Sequence, residues 1–351
     1  MLLPEIGRAG QEALAAAHAM VIGCGALGCP ALDLLVRAGV GRVSIVDRDI
    51  VETTNLQRQT LFSEDDARHG RPKAEAAAAR LRTVNSEIRV EAIVDDFAPE
   101  SALRLLRAHP APGVLLDCTD NFETRYLIND AAVATRLPLI YGGAVGWTGM
   151  VFAIRPGATA CLRCLYPDPP ALGSAPTCDT SGIFAPVSAL IGALQAAAAL
   201  KVLAGRADLL PDTLVSVDLL RGGPRSIDLT SARRPDCPCC GESRFDFLNA
   251  TAATASDETI LCGRNAVQIS GRGGIDLHDL HARLTRVGAF TLTDSMLRGA
   301  LHSAGSAHQG NVASPAAAEL ELTVFADGRA IIKGTSDPAR ARAIYRQFVG
   351  S

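Results

Sequence analysis

The stretch "VIGCGALGCP", residues 21 to 30, decides the fold of this chain. An apolar run ends at Ile22 and is followed by Gly23, Gly25 and Gly28, which is the G-x-G-x-x-G spacing. Between a strand and a helix, such a loop brings backbone N–H groups and a helix N-terminus against a phosphate group. The same glycines also allow close helix–strand packing. The motif therefore predicts a nucleotide site without saying which nucleotide is bound.

Strand-like and helix-like segments alternate on both sides of this loop through the first half of the chain. Examples of the strands are "RVSIVD", which ends at Asp47, and "GVLLDCTD", which ends at Asp120. Short apolar strands that alternate with amphipathic helices are typical of a parallel sheet covered on both faces. We predict a doubly wound, Rossmann-like α/β domain with a mainly parallel sheet, whose ligands bind beyond the carboxyl ends of the strands.

The composition changes near residue 246. The segment "NATAATASDET" has the small residues of a linker, and the tail beyond it is expected to contain the strands "ILCGRNAVQI" and "AFTLTDSMLRGAL" and a hairpin that turns at Asp327 and Gly328. We predict a nucleotide-binding domain over residues 1–245, a linker over residues 246–258 and a small C-terminal α+β domain over residues 259–351.

Composition and charge exclude several classes of protein. The 351 residues are 48% hydrophobic and 20% charged, and a net charge of -3 gives no reason to expect a nucleic-acid partner. The N-terminus lacks the basic flank of a signal peptide, so we expect a cytoplasmic chain. The apolar stretch 185–205 contains Pro186, Gln195 and Lys201, which favours a buried helix over a membrane span.

Polar and charged side chains follow the second strand. Asp47 closes that strand, where a carboxylate accepts hydrogen bonds from ribose hydroxyls in both NAD and ATP sites. Arginine and lysine close behind it favour ATP over NAD, because negative charge builds on the phosphates in phosphoryl or nucleotidyl transfer. Each polar or charged residue of this segment, taken alone, could be an ordinary solvated surface residue, and it is their grouping that indicates a site. The candidates are Asp49, Asn55, Arg58, Gln59 and Lys73.

A second acidic loop lies in "DCTDNFETRYLIND", residues 117 to 130. A carboxylate at a strand end over the crevice suits Mg²⁺, which prefers hard oxygen ligands and bridges to phosphates. Asp120 is our candidate for that carboxylate, with Asn121 beside it at the nucleotide. One of these two residues could instead be the N-cap of the following helix.

Two C-x-x-C pairs, Cys161 with Cys164 and Cys237 with Cys240, predict a structural zinc site. Cys239 could replace Cys240 in the second pair, and redox chemistry is the alternative use of such pairs. Ten cysteines without a secretory signal argue against a disulfide framework. The cysteines expected to be small core residues are Cys24, Cys29, Cys118 and Cys262.

Six stretches of the chain resemble the ThiF/MoeB/HesA family of E1-like adenylyltransferases, the bacterial relatives of ubiquitin-activating enzymes. They are "VIGCGALGCPALDLLVRAGVGRVSIVDRDIVETTNLQRQTLF", "GRPKAEAA", "LLDCTDNFETRYLINDA", "CLRCLYPDPP", "TCDTSGIFAPVSALIGALQAAAALKVLAG" and "CPCCG". The resemblance implies adenylation, with release of pyrophosphate, of the C-terminal glycine of a ubiquitin-like sulfur carrier that ends in Gly-Gly. A separate sulfur donor would then convert the acyl-adenylate to a thiocarboxylate.

The resemblance also implies roles for individual residues. Asp47 matches the residue that binds the ATP ribose, and Asp120 matches the essential carboxylate associated with Mg²⁺. Cys178 lies where relatives have a crossover-loop cysteine, which bonds covalently to the carrier or to sulfur in some members and is dispensable in others. The residues matching those around the phosphates are Asn55, Arg58 and Lys73.

Relatives are homodimers in which an Arg-rich segment, just before the position of Leu2, supplies an arginine to the partner's nucleotide site. This chain starts at Met1, after the position of that segment, so two alternatives stay open: the start is truncated, or another residue such as Arg8 takes that role. The carrier itself stays open among those for thiamin, molybdopterin, tRNA thiolation and secondary metabolites. Two rival functions also stay open: an NAD-dependent oxidoreductase, and a non-catalytic binder of a ubiquitin-like protein.

Overall fold

The computed structural model describes residues 3–107, 110–170, 181–250, 258–261, 265–269, 271, 273–293, 295–301 and 320–350. The chain divides into two compact units, Met1–Ala250 and Thr251–Ser351. The first unit thus extends past the boundary that composition placed at residue 245, because Phe247 and Leu248 pack into its core. Cys178 and Cys262 lie outside the described residues.

The helices and strands of the first unit follow the predicted alternation. Its helices are α1 (Gly7–Ala16), α2 (Gly28–Arg37), α3 (Glu64–His69), α4 (Lys73–Val84), α5 (Pro99–Leu106), α6 (Phe122–Thr135), α7 (Leu162–Leu165) and α8 (Ala185–Leu203). Its strands are β1 (His18–Ile22), β2 (Arg42–Val46), β3 (Arg89–Ile93), β4 (Val114–Asp117), β5 (Leu139–Val145), β6 (Thr148–Ile154), β7 (Thr213–Asp218) and β8 (Gly223–Asp228).

These eight strands form one sheet in the order β3-β2-β1-β4-β5-β6-β7-β8. Strands β1 to β5 are parallel to one another, and β6, β7 and β8 extend the sheet in antiparallel fashion. In the sheet, β2 lies on one side of β1 and β4 lies on the other side. The carboxyl ends of β1 and β4 therefore flank a topological switch point, where doubly wound sheets bind ligands. This architecture confirms the predicted fold class.

Helix α8 packs on one face of the sheet, against β4, β5 and β6. By length and composition alone it would be long and apolar enough to cross a membrane. Its buried residues Val187, Ile191 and Ala196 join the same apolar core as α2 and α4, so it is a core helix of this unit, as expected. The other face of the sheet is covered by α5, α6 and the cysteine-bearing segments.

In its described residues, the second unit is a six-stranded antiparallel sheet with two helices. Its elements are β9 (Glu258–Leu261), β10 (Ala266–Ile269), α9 (Leu277–Leu284), β11 (Gly288–Leu292), β12 (Met296–Leu301), β13 (Glu321–Phe325), β14 (Ala330–Lys333) and α10 (Pro338–Phe348). The strand order is β11-β12-β13-β14-β10-β9. The hairpin predicted around Asp327 and Gly328 is present as β13 and β14.

Two strands predicted in this tail are each a pair of antiparallel strands instead. The segment "ILCGRNAVQI" contains parts of β9 and β10, and Asn265 before β10 has a left-handed backbone, with φ of 44°. The segment "AFTLTDSMLRGAL" contains most of β11 and all of β12, and the backbone N–H of Thr293, just after β11, donates to the carbonyl of Met296 at 2.9 Å. Each segment contains a run of polar, turn-forming residues, Gly-Arg-Asn at 263–265 and Thr-Asp-Ser at 293–295, which was a usable signal for the break between the strands.

A buried polar cluster lies at the amino ends of β1 and β2, away from the switch point. Nδ1 of His18 donates to the carbonyl of Pro110 at 2.8 Å, and its Nε2 lies 2.9 Å from Oγ of Ser44. Ser44 also contacts Glu91 at 3.0 Å, and Glu91 pairs with Arg42. Burial lowers the pKa of His18 below its ordinary value of 6.5.

We expect this cluster to make folding sensitive to mild acid. The unfolded chain binds a proton on His18 near pH 6.5, whereas the folded chain binds it only at lower pH, so the free energy of unfolding should fall as pH decreases from about 6.5. Urea unfolding at pH 7.5 and 5.5 checks this, with His18→Gln as the comparison. An equal pH dependence in both proteins would contradict it.

Candidate functional site

The glycine loop after β1 is held tightly against β4. Gly23 has a left-handed backbone, with φ of 93°, and a Cβ on it would lie 2.7 Å from the carbonyl oxygen of Cys118. A Cβ on Gly28 would lie 2.1 Å from the carbonyl oxygen of Gly23. Both contacts are far too short for a side chain, so glycine is required at these two positions. The loop therefore presents backbone at the switch point, followed at once by the first turn of α2.

The carboxylate of Asp47 ties the end of β2 to this loop. Its Oδ2 accepts from the backbone N–H of Cys24 at 2.6 Å, and its Oδ1 accepts from that of Asp49 at 2.8 Å. Asp49 in turn pairs with Lys73, whose Nζ lies 2.9 Å from Oδ2 of Asp49. Lys73 is only 3% exposed, so its ammonium group is fixed beside the loop. The structure thus places three predicted site residues in one connected group.

The segment after β2 contributes three further predicted residues. Asn55 is buried, and its Oδ1 accepts from the backbone N–H of Glu52 at 3.0 Å, so it holds the segment's own backbone. Arg58 is half-buried, and its Nη1 donates to the carbonyl of Thr54 at 2.9 Å. Gln59 is 4% exposed, and its Oε1 has no hydrogen-bond partner within the described chain. Gln59 faces the loop, because a Cβ on Gly25 would lie 3.7 Å from its Nε2.

Asp120 and Asn121 have different positions at the end of β4. Asn121 is the N-cap of α6, and its Oδ1 accepts from the backbone N–H of Thr124 at 2.8 Å. Asp120 is exposed just before that cap. Of the two alternatives considered from the sequence, the N-cap is therefore Asn121, and the carboxylate of Asp120 projects from the switch point.

A buried arginine lies beneath this turn. The guanidinium of Arg125 donates to the hydroxyl of Tyr141 and to the carbonyl of Thr119, both at 2.6 Å. Burial disfavours its charge, but Tyr141, Asp117 and Asp120 outweigh burial and raise the pKa of Arg125. Burial also raises the pKa of Asp117, which is 0% exposed. The buried, permanently charged guanidinium of Arg125 thus stabilises the turn by bonding to the carbonyl of Thr119.

Two residues near this turn had no place in the sequence-based site. Burial disfavours the charge of Arg48, but the carboxylates of Asp96, Asp49 and Asp120 outweigh burial and raise its pKa. Gln195 lies in α8 and donates to the carbonyl of Asp117 at 2.7 Å. A single amide in a mainly apolar helix was a usable signal for Gln195, whereas an arginine in a polar loop was no signal for Arg48.

The four predicted cysteine ligands lie together. The Sγ atoms of Cys161, Cys164, Cys237 and Cys240 are all within 4.8 Å of one another. Three of the Sγ–Sγ distances are 4.0, 3.6 and 3.4 Å. Tetrahedral zinc with Zn–S bonds of about 2.3 Å requires Sγ–Sγ distances of about 3.8 Å, so this donor set fits the metal.

Cys239 is not part of this group of four. Its Sγ accepts from Nδ2 of Asn129 in α6, at 3.3 Å. Oδ1 of the same Asn129 accepts from the backbone N–H of Leu162, at 2.9 Å. Asn129 is 0% exposed and thus joins both C-x-x-C segments to α6. The idea that Cys239 replaces Cys240 does not match this geometry.

The cysteines around the glycine loop are packed in the core. Cys24 and Cys29 are 0% exposed and Cys118 is 4% exposed. Burial raises the pKa of Cys24 and of Cys118 well above the ordinary value for a thiol. A neutral, inaccessible thiol is a poor nucleophile, so these side chains fill space.

Arg8, the candidate for the arginine that reaches the partner's nucleotide site, is exposed on α1 and pairs with Glu12 in the same helix.

Comparison with known proteins agrees with this architecture. The model of the ThiF family matches residues 1–239, which include the glycine loop, the Asp120 turn and three of the four clustered cysteines. The chain belongs to the ThiF family. The resemblance seen in the sequence is thereby confirmed.

Among curated relatives of this family member is the sulfur carrier protein ThiS adenylyltransferase of Bacillus subtilis. It is 40% identical over an alignment of 352 positions, which covers 99% of this chain and 97% of the relative. The sulfur carrier protein adenylyltransferase of Thermus thermophilus is 42% identical over 247 residues, covering 69% of this chain and 89% of the relative. Adenylyltransferase and sulfurtransferase MOCS3 of Sus scrofa is 39% identical, covering 76% of this chain and 56% of the relative.

A similar fold is found in solved structures of E. coli MccB. The structure of MccB with ATP superposes with a TM-score of 0.58 at 26% identity. The match covers 66% of this chain and 69% of MccB.

Proposed function

We propose that this protein adenylates the C-terminal glycine of a ubiquitin-like sulfur carrier with ATP and releases pyrophosphate. The main support for the proposal is one group of residues at the switch point. The glycine loop, Asp47, Asp49 and Lys73 are connected there, and Asp120 is exposed just after the end of β4. Relatives named as sulfur carrier adenylyltransferases support it. The buried Lys73 beside the phosphate loop favours ATP over NAD, because nucleotidyl transfer builds negative charge on the phosphates.

In this proposal the nucleotide is held by parts of the chain that are already fixed. Asp47 accepts from the ribose hydroxyls with the lone pairs left free by its two backbone donors. The backbone of Gly23, Gly25 and Gly28 approaches the phosphates, and the first turn of α2 adds its partial positive charge. Asn55 and Gln59 shape the wall of the site, and Asn121 fixes the start of α6.

The reaction needs electrostatic stabilisation more than acid–base catalysis. The attacking carboxylate of the carrier is ionised at neutral pH, so no general base is required. Lys73 and Arg58 offset negative charge on the α-phosphate and on the departing pyrophosphate. The carboxylate of Asp120 would hold Mg²⁺, which would supply charge neutralisation at the phosphates.

Zinc has a structural role in this proposal. The four clustered thiols leave no open coordination position, as expected of a site without chemistry of its own. The two C-x-x-C segments come from distant parts of the chain and meet beside α6. Zinc would therefore hold the end of the first unit against the helix that begins at the nucleotide crevice.

We propose a ThiS-like carrier in thiamin biosynthesis rather than a MoaD-like carrier in molybdopterin biosynthesis. The support is that the Bacillus subtilis relative matches 99% of this chain, whereas the Thermus thermophilus and Sus scrofa relatives match 69% and 76%. We further propose a cytoplasmic homodimer that uses a separate sulfur donor. In that dimer Arg8 reaches the partner's nucleotide site, and Cys178 takes part only if sulfur transfer passes through this chain.

Carrier-dependent exchange between ATP and labelled pyrophosphate tests the proposed function. We expect exchange with a ThiS-like carrier ending in Gly-Gly, and none with the same carrier lacking its last glycine. A MoaD-like carrier should support at most about a tenth of that rate, the factor that about 1.4 kcal/mol of differential binding gives. Binding of the carrier without exchange would favour the non-catalytic alternative, and reduction of NAD without exchange would favour the oxidoreductase.

A further inference from the structure

Gln195 is a polar side chain at the centre of an apolar helix. It lies in α8, whose sequence is APVSALIGALQAAAALKVL, and it is 0% exposed. A buried carboxamide is unfavourable unless its hydrogen-bonding groups are matched, so its partners indicate what it does.

Those partners lie at the carboxyl end of β4 and near the start of the neighbouring strand β5. Nε2 of Gln195 donates to the carbonyl of Asp117 at 2.7 Å and to that of Ile140 at 3.2 Å. Its Oε1 lies 3.5 Å from Sγ of Cys118. Both N–H groups and the carbonyl of the amide are therefore used, and they join α8 to two adjacent parallel strands.

The sheet makes room for this side chain at one glycine. A Cβ on Gly142 would lie 2.3 to 2.5 Å from the carboxamide atoms of Gln195. Any other residue at position 142 would displace the amide from the carbonyls that it bonds. Gln195 and Gly142 thus form a matched pair across the helix–sheet interface.

The same hydrogen bonds complete the support of the turn that leads to Asp120. The backbone N–H of Cys118 donates to Ile22 at 2.9 Å, and the carboxylate of Asp117 accepts from both N–H and Oγ1 of Thr119. The carbonyl of Thr119 accepts from Arg125. Gln195 adds a hydrogen bond to the carbonyl of Asp117. The backbone of residues 117–119 is therefore held by hydrogen bonds at each residue, and Asp120 is the next residue in the chain.

We propose that Gln195 is a positioning residue that sets the place of Asp120 by holding the Asp117 carbonyl. The inference rests on the proposed adenylation. Gln195 makes no contact with ATP or the carrier in this scheme. Its effect passes through the turn of residues 117–120 to the carboxylate that would hold Mg²⁺.

The test is Gln195→Leu, assayed by carrier-dependent ATP–pyrophosphate exchange. We expect kcat to fall about 10- to 100-fold, the effect of a misplacement near 1 Å, with KM for ATP within about threefold of wild type. The Mg²⁺ concentration for half-maximal rate should rise. In an Asp120→Ala background the same substitution should cost no further activity in single-turnover measurements, because residues that act as one unit are not additive.

Ser188→Ala is the matched control, since Ser188 is equally buried in α8 but, among the residues that the structure describes, bonds only to the carbonyl of Ala185 in its own helix. It should retain the wild-type kcat and Mg²⁺ requirement. If Gln195→Leu does not fold, Gly142→Ala, which displaces the amide, should give the same loss of kcat with rising Mg²⁺ requirement. Unchanged kcat and Mg²⁺ requirement in Gln195→Leu, or an equal further loss in the Asp120→Ala background, would overturn the inference. Absence of exchange in the wild-type protein would instead refute the proposed function.

Discussion

Asp120→Ala should lower kcat for carrier-dependent ATP–pyrophosphate exchange by about 100- to 1,000-fold, the usual cost of removing one group that stabilises developing charge. The carboxylate is exposed at the switch point and is not the helix cap, since Asn121 fills that position. Its loss should therefore leave the fold intact. Steady-state exchange rates and thermal unfolding of the purified variant measure the two effects separately.

Glu123→Gln is the matched control for this substitution. Glu123 is an exposed acid in the first turn of the same helix. The Glu123→Gln protein should catalyse exchange at the wild-type rate, because Glu123 lies outside the turn that Arg125 supports. Wild-type exchange by Asp120→Ala would show that the metal-holding carboxylate has been assigned to the wrong residue.

Cys240→Ser should lower the zinc content of the purified protein from about one ion per chain towards zero and destabilise the first unit. At free zinc about 1,000 times the Kd, loss of binding costs about 4 kcal/mol of the free energy of unfolding. A serine hydroxyl is a much weaker zinc ligand than a thiolate. Elemental analysis and urea unfolding with and without a chelator measure the two effects.

Cys239→Ser provides the comparison within the same segment. Cys239 is buried against Asn129 and lies outside the group of four thiols, and a serine oxygen can still accept from that amide. We expect one zinc ion per chain and a stability within about 1 kcal/mol of wild type, the usual size of one hydrogen bond. Zinc loss in Cys239→Ser with retention in Cys240→Ser would reverse the ligand assignment.

Features that depend on local spacing were accessible from the sequence. The glycine loop, the alternation of strands and helices and the two C-x-x-C pairs each need only neighbouring residues to be recognised. Because β2 and β4 lie on either side of β1, Asp47 and Asp120 lie together at the carboxyl ends of the parallel strands. The roles of these residues in catalysis stay predictions, which the substitutions above test.

Features that depend on contacts between distant segments were not accessible. Gln195 bonds Asp117 across 78 positions of sequence, and Asn129 bonds Cys239 across 110. No local pattern indicates such partners. In the second unit, the single strand predicted over residues 289–301 is replaced by the antiparallel pair β11 and β12, although the polar residues at 293–295 could have marked the break.

Helix α6 has a fixed length between two anchored points. Its cap at Asn121 lies beside the nucleotide crevice, and Asn129 further along holds both cysteine segments. One inserted residue would rotate everything after it by about 100° around the helix axis and turn Asn129 away from its partners. We therefore expect insertions to be tolerated in surface loops but not between residues 122 and 129 of this helix. A library of single-residue insertions selected for activity should be depleted between positions 122 and 129.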